Sequence, residues 1–170
     1  MPGTPPLGAV WLSRSIGSEI LAEAKSRAPL ETGGILMGYY TVPQNGTRNL
    51  VISDLIGPGP GAVHRRLTFE PDSEWQTHRV AGIYARSGRT SKYLGDWHTH
   101  PQGHPIPSTR DKNTLELISR YEPARCPEPI MLIAGNPLGS AKWELRAFNL
   151  QCSTSLTQTR TASLPLYFSD

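Results

Sequence analysis

The sequence predicts an α/β protein, a mixed and mostly antiparallel β-sheet flanked by about three helices. Three observations predict it. Gly and Pro, at 16 each among 170 residues, exceed their usual share by about half, which excludes an all-helical bundle and favours strands joined by turns. Short apolar runs with strand character, such as Ile35–Tyr40 and Ile130–Ala134, are interspersed with three segments of helical periodicity. Short turns between neighbouring strands, of which Asn45-Gly46 is the strongest signal, pair those strands antiparallel, and helices then cover the sheet. A chain of this length forms one domain and buries about 70% of its unfolded surface without disulfides or a structural metal.

Each element follows in order. Residues 1–8 read as a flexible leader, and Ala9–Ser13 starts a strand. From Ser15, the positions Ile16, Ile20, Leu21 and Ala24 fall at helical spacing until Pro29 stops the pattern. Glu31 and a Gly-Gly step precede the buried strand Ile35–Tyr40. Asn45-Gly46 turns the chain into a returning strand, Leu50–Ile56. The run Gly57-Pro58-Gly59-Pro60-Gly61 is a loop, and Val63–Glu70 reads as one further strand. Pro71-Asp72 opens a second helix bearing Trp75, Val80, Ile83 and Tyr84, and Ser91–Trp97 is extended. Pro107-Ser108 opens a third helix with Leu115, Ile118 and Tyr121, ending near Pro123. Ile130–Ala134 is a short apolar strand, and Lys142–Leu150 alternates, with Trp143, Leu145 and Ala147 on one face. Residues 151–163, seven of thirteen Ser or Thr, read as a loop or tail, and Leu164–Phe168 docks back on the body. The resulting division is a leader at 1–8, a domain at 9–150 and a Ser/Thr-rich segment at 151–170.

Composition excludes several function classes. No apolar run approaches the 18 or so residues needed to span a bilayer, and the N-terminus lacks the features of a secretory signal. Cys126 and Cys152 form no CxxC pair and suggest no disulfide scaffold, so a cytoplasmic location is expected. The net charge of +3 is scattered. Its densest spots, Arg65-Arg66 and the run Arg86, Arg89 and Lys92, carry no interleaved aromatics and read as solvated surface rather than a nucleic-acid stripe.

The chemistry concentrates in Asp96-Trp97-His98-Thr99-His100-Pro101 and Pro107-Ser108-Thr109-Arg110-Asp111. On an extended backbone His98 and His100 point to one face, and Pro101 is expected to end the regular strand. Asp111, in the first turn of the third helix, brings a carboxylate back toward both imidazoles. Two nitrogens and one oxygen with a fourth position left for water is a catalytic zinc arrangement, and the absence of nearby cysteine argues against a structural site. Other first-row ions suit the same donors. A His-x-His pair alone is a weak signal, and Ser108-x-x-Asp111 is equally a helix capping box. His104 is a less favoured ligand, in a loop between Gly103 and Pro105, and His64 and His78 read as isolated structural or surface residues.

The whole pattern is more specific. Glu31, then His98-Thr99-His100-Pro101, seven residues, Ser108, two residues and Asp111 resembles the JAMM motif of the MPN/JAB metalloprotease family at all five positions. The resemblance runs from about Val10 to Leu150. Its segments Glu31–Gly38, Gly57–Pro60 and Gly95–Pro101 are most similar to stand-alone bacterial JAB deconjugases encoded beside E1- and E2-like proteins in anti-phage operons of the CBASS type. Thr99 argues against the RadC-type branch, which usually carries Asn there.

The resemblance implies the cytidine-deaminase-like MPN/JAB fold and one Zn2+ per chain on His98, His100 and Asp111, with a bound water as nucleophile. It implies that Glu31 acts as general base and that Ser108 donates a hydrogen bond to the oxyanion. The implied activity is cleavage after the C-terminal tail of a ubiquitin-like protein, or of a protein joined by an E1/E2-like system, by deconjugation or precursor processing in antiviral defence. The partners implied are that ubiquitin-like protein or its conjugate and the E1/E2-like proteins of the same operon, with no membrane and no specific nucleic acid. Gly-Gly tails suit a narrow groove, for which the Glu31–Met37 strand, by strand addition, and the Gly57–Gly61 loop are candidates. The alternatives are a non-catalytic MPN scaffold and a zinc hydrolase of another small amide or peptide.

Overall fold

The structure, a computed structural model, describes residues 4–42, 45–152 and 159–170. Strand β1 (Leu7–Ser13) leads into helix α1 (Arg14–Arg27), where the Ser13 hydroxyl accepts from the Ile16 amide at the first turn. Strands β2 (Gly33–Tyr40) and β3 (Arg48–Ile56) pair antiparallel. Helix α2 (Ser73–Arg86) is capped by Asp72, strand β6 spans Lys92–Gln102, and α3 (Thr109–Arg120) is capped by Ser108. Strands β7 (Ile130–Pro137) and β8 (Glu144–Cys152) follow.

Two expectations about strands are corrected. Val63–Glu70 is not one strand but a small hairpin, β4 (Val63–His64) against β5 (Phe69–Glu70). The loop or tail expected over 151–163 lies partly outside the described residues, at 153–158, but Thr159–Leu164 is strand β9, paired antiparallel with β8. After Pro165, strand β10 (Leu166–Ser169) pairs with β1, so the docking of Leu164–Phe168 is by full strand pairing. The Ser/Thr content hid these strands because Thr is a good strand former and hydroxyls tolerate a half-exposed face.

The eight-stranded sheet has the order β10-β1-β3-β2-β6-β7-β8-β9. Its outermost strands, β9 and β10, are separated in sequence by Pro165 alone, and the Val10 amide donates to the Pro165 carbonyl at 2.9 Å. The sheet therefore curls until its two edges meet, which leaves little free edge. Inside the curl, Ile16 and Ile20 of α1 pack with Val10, Leu12, Leu36, Leu94, Trp97, Ile130 and Leu132. Two smaller clusters cover the other face. Ile83 of α2 meets Met37 and Ile56, and Leu115 of α3 meets Met131, Ile133, Phe148 and Leu150.

Side-chain alternation in β6 is reset by a bulge. Leu36 pairs with Gly95 but Met37 pairs with Tyr93, so Leu94 is the extra residue. Gly95 takes φ +141, and a Cβ there would lie 1.9 Å from the Ile130 carbonyl oxygen. The bulge lets Leu94 and Trp97 both face the α1 core although they are three residues apart. As a result Asp96, His98 and His100 face outward, between α2 and α3.

Candidate metal centre

Two central strands and one helix start build the centre. β6 is flanked by β2 on one side and by parallel β7 on the other, with Gly33 opposite His98 and His98 opposite Ile133. A Cβ on Gly34 would lie 1.9 Å from the Ile56 carbonyl oxygen and 2.8 Å from the Trp97 indole nitrogen. That indole donates to the same carbonyl at 3.0 Å, so only glycine leaves room for the bond that locks the buried Trp97 beside the histidines. Thr99, fully buried on the opposite face, accepts from the Thr32 amide at 3.0 Å.

Pro101 does not end the strand. β6 continues through Pro101 opposite Asn136 and Gln102 opposite Pro137, and the turn comes at Gln102, φ +61. The reason is that β2 pairing stops at His98, so the missing proline N–H faces a side with no strand to bond.

The three expected ligands converge. His98 Nε2 and His100 Nε2 are 3.0 Å apart, and they lie 3.2 Å and 3.3 Å from Asp111 Oδ1 and Oδ2 respectively. A tetrahedral ion with ligand bonds of about 2.0–2.1 Å needs ligand atoms about 3.3 Å apart, so these donors fit such an ion. They are the group among the described residues that could hold a metal ion.

Surrounding bonds fix the ligands. His100 Nδ1 donates to the His104 carbonyl at 3.0 Å, which presents Nε2 to the site. His104 thus contributes its backbone, not a ligand side chain. Gly135, opposite His100 on β7, admits that loop, since a Cβ there would meet Gly103 O and Pro105 N at 2.6 Å. Ser108 and Asp111 form a capping box. The Ser108 amide donates to Asp111 Oδ2 at 2.6 Å, and the Ser108 hydroxyl accepts from the Asp111 amide at 3.2 Å. Capping uses the hydroxyl only as acceptor, so its proton remains available to another group.

The electrostatics follow from burial and proximity. Burial opposes ionisation of Asp111, but hydrogen bonds from His100 and His98 outweigh it and hold the carboxyl well below the usual range. Burial lowers His100, yet its bonds to Asp111 and the His104 carbonyl raise it on balance. Burial raises the Glu31 carboxyl above its ordinary value, against the pull of His98 and His100. Burial also pushes Asp96 up to about 6, opposed by the Tyr93 hydroxyl, which donates at 2.8 Å, and by His98.

Two clefts of about 450 and 490 Å³ meet at this centre and share Glu31, Arg110 and Asp111. The first is lined by Tyr93, Asp96 and His98 together with Phe69 and α2 residues. The second is lined by His100, Ser108 and the hairpin tip Arg66–Thr68. An extended chain passing from one cleft to the other crosses the His98–His100–Asp111 cluster. Glu31 and Gly34 line the first cleft, but β2 is paired on both edges over Ile35–Gly38, so strand addition along that stretch is blocked. The Gly57–Gly61 loop is tied to the start of α2, through Gln76 Nε2 to the Gly57 carbonyl and the Gly61 amide to Asp72, and lines neither cleft. Sequence reasoning missed the His104 carbonyl, Gly135, Arg110 and Asp96. For the last of these the local signal was strand alternation, which puts Asp96 on the same face as His98 and His100.

No helix among the described residues is long and apolar enough to cross a membrane. Comparison with known proteins matches residues 13–150 to the family of prokaryotic homologues of the JAB domain. The "Probable metalloprotease y4qB" of Sinorhizobium fredii is 38% identical over 130 residues, covering 75% of this chain and 77% of that one. The CD-NTase/cGAS isopeptidase of Enterobacter hormaechei is 28% identical over 144 residues, 79% and 72% of the two chains. The solution structure of protein DSY2949 from Desulfitobacterium hafniense shares the fold, with a TM-score of 0.62, 19% identity and 94% of each chain covered. With a family match over most of its length and the five motif residues gathered around one centre, this chain belongs to the prokaryotic JAB-domain family.

Proposed function

We propose that this JAMM-type metalloprotease holds one zinc ion through His98, His100 and Asp111. Its substrate is a ubiquitin-like protein, or a protein joined by a bacterial E1/E2-like system, cleaved at the peptide or isopeptide bond after the C-terminal tail. The observation that carries this reading is the junction of two clefts at a three-donor cluster, with a half-buried carboxyl, Glu31, on the shared wall. The similarity to proteins named CD-NTase/cGAS isopeptidases supports isopeptide cleavage on a protein substrate linked to a CD-NTase/cGAS system.

Bound zinc would supply Lewis acidity that brings the pKa of water toward neutrality. Glu31 takes the proton and delivers it to the leaving amine. Its burial raises its affinity for that proton, which suits both halves of the transfer. Ser108 offers its free hydroxyl proton to the developing oxyanion from the wall of the second cleft. Arg110, on both clefts, supplies a positive charge beside the scissile bond.

The test is a single-turnover assay on a modifier–lysine conjugate with metal content measured in parallel. Glu31→Ala is expected to retain metal and lose cleavage, and full activity in that variant would sink the assignment. Failure of the parent protein to take up near-stoichiometric zinc would favour the scaffold reading.

A further inference from the structure

We infer that His64 is a positioning residue that sets Glu31 through its backbone. The inference rests on the reading of Glu31 as general base. Glu31 precedes β2, so the sheet ladder does not fix its backbone. Its peptide groups instead end on two adjacent hairpin residues. The Glu31 amide donates to the Arg65 carbonyl at 2.7 Å, and His64 Nδ1 lies 2.9 Å from the Glu31 carbonyl oxygen. A carbonyl only accepts, so Nδ1 carries the proton and donates whether the ring is neutral or cationic.

The next residue is held from the opposite side. The Thr32 amide donates to the Thr99 hydroxyl at 3.0 Å, and the Thr99 amide donates to the Thr32 carbonyl at 2.9 Å. Glu31 is thereby held between the β4–β5 hairpin and β6, the strand that carries both histidine ligands.

The hairpin has only two register pairs, Val63 with Glu70 and His64 with Phe69, too few to hold a shape unaided. The His64 ring stacks on Phe69, with centroids 5.8 Å apart and planes inclined by 26°. Phe69 in turn lies where a Cβ on Gly33 would be 2.9 Å from its ring, so the hairpin seats against the start of β2 because Gly33 has no side chain. His64 therefore joins three things: the hairpin's packing, the carbonyl of the base residue and the wall of the first cleft. Removing its donor leaves the Glu31 carbonyl without this partner, with only the Glu31 and Thr32 amides still bonded, and a misplacement of about 1 Å at a reacting group costs about 100-fold in rate.

The experiment compares His64→Ala with His64→Asn, whose amide offers a donor near the Nδ1 position, in the full chain. On a modifier–lysine conjugate, His64→Ala is expected to lower kcat 10- to 100-fold with KM changed less than about twofold. Bound metal stays unchanged, and His64→Asn returns to within about threefold of the parent. The limbs of the pH–rate profile stay in place, because His64 donates in both protonation states. Hydrogen exchange at residues 30–34 needs no substrate and is expected to quicken in His64→Ala but not in His64→Asn.

Unchanged kcat overturns the inference. A raised KM at full kcat makes the hairpin a substrate-binding element instead, and loss of a pH limb makes His64 a proton carrier. If His64→Ala does not fold, His64→Leu, which fills the ring's space without a donor, takes its place. Glu31→Gln separates the two readings. An active Glu31→Gln defeats the base assignment itself, whereas an inactive one beside a fully active His64→Ala defeats only the positioning role.

Discussion

Gly135→Ala is the most discriminating perturbation of the centre that leaves every proposed metal and catalytic residue in place. The added Cβ would lie 2.6 Å from both Gly103 O and Pro105 N and 2.9 Å from the His104 carbonyl carbon. All three are backbone atoms, so no side chain can swing aside. Reaching ordinary contact near 3.4 Å requires the 103–105 loop to retreat by about 0.8 Å. A retreat of that size lengthens the His100 Nδ1 to His104 carbonyl bond from 3.0 Å by up to about 0.8 Å, which at its full extent takes it beyond hydrogen-bond range. Losing the partner that orients a ligating histidine costs about 10- to 100-fold in metal affinity, and the overpacking itself costs about 1–3 kcal/mol. Competition with a chelating zinc indicator measures the first, and denaturant unfolding of the metal-free protein measures the second. A variant that binds zinc within threefold of the parent would show that the His104 carbonyl does not orient His100.

Three further outcomes follow from the same geometry. Gly34→Ala places a Cβ 1.9 Å from the Ile56 carbonyl and against the Trp97 indole, and is expected to abolish soluble expression or lower stability by more than about 3 kcal/mol, read by thermal melting. Ser108→Ala removes the cap of α3 and costs about 1 kcal/mol in denaturant unfolding. It is also expected to lower kcat about 100-fold or more with metal retained, and a loss confined to stability would leave Ser108 a cap alone. Stability against pH is expected to change sign with metal. In the metal-free protein the folded pKa of His100 is raised, so its contribution is full below the unfolded value of about 6.5 and is lost as pH rises through the folded value. Asp96, raised to about 6, adds a loss of the same sign from about pH 4 upward. Asp111, held low, contributes fully throughout that window. With zinc bound, protons compete for the ligands, so melting temperature falls as pH falls. A metal-free protein whose melting temperature rises from pH 6 to 8 would contradict the assigned directions.

The candidate ligand set was legible because its geometry is local. An i, i+2 pair on a strand shares a face whatever surrounds it, and a carboxylate at the third position of a capped helix sits where the cap puts it. Helix α1 was legible for a similar reason, since Ile16, Ile20 and Ala24 recur every four residues, close to one helical turn, and all three are buried. The hairpin within Val63–Glu70 was not. Its strands of two residues each have no period to read, and bonds to Glu31, more than thirty residues earlier, help hold it in place. Thr159–Leu164 was also missed, because its partners are β8 on one side and, through Pro165, the far edge of the sheet.

By itself the sequence determined the identity and spacing of the candidate metal donors, the helix that carries Asp111 and the family to which the chain belongs. Only the tertiary structure decided which way the donors face. The bulge at Leu94–Gly95 sits between β2 and β7, where only glycine can approach the Ile130 carbonyl so closely, and it turns His98 and His100 out of the α1 core and into the junction of two clefts. The excess of glycine belongs to the same division. Its amount is compositional and announced turns, but Gly33, Gly34, Gly95 and Gly135 lie in paired strands, each where the backbone or an aromatic ring of another element occupies the space of a side chain. Which atom crowds a given Cβ is set by segments distant in the chain, and no local pattern encodes it.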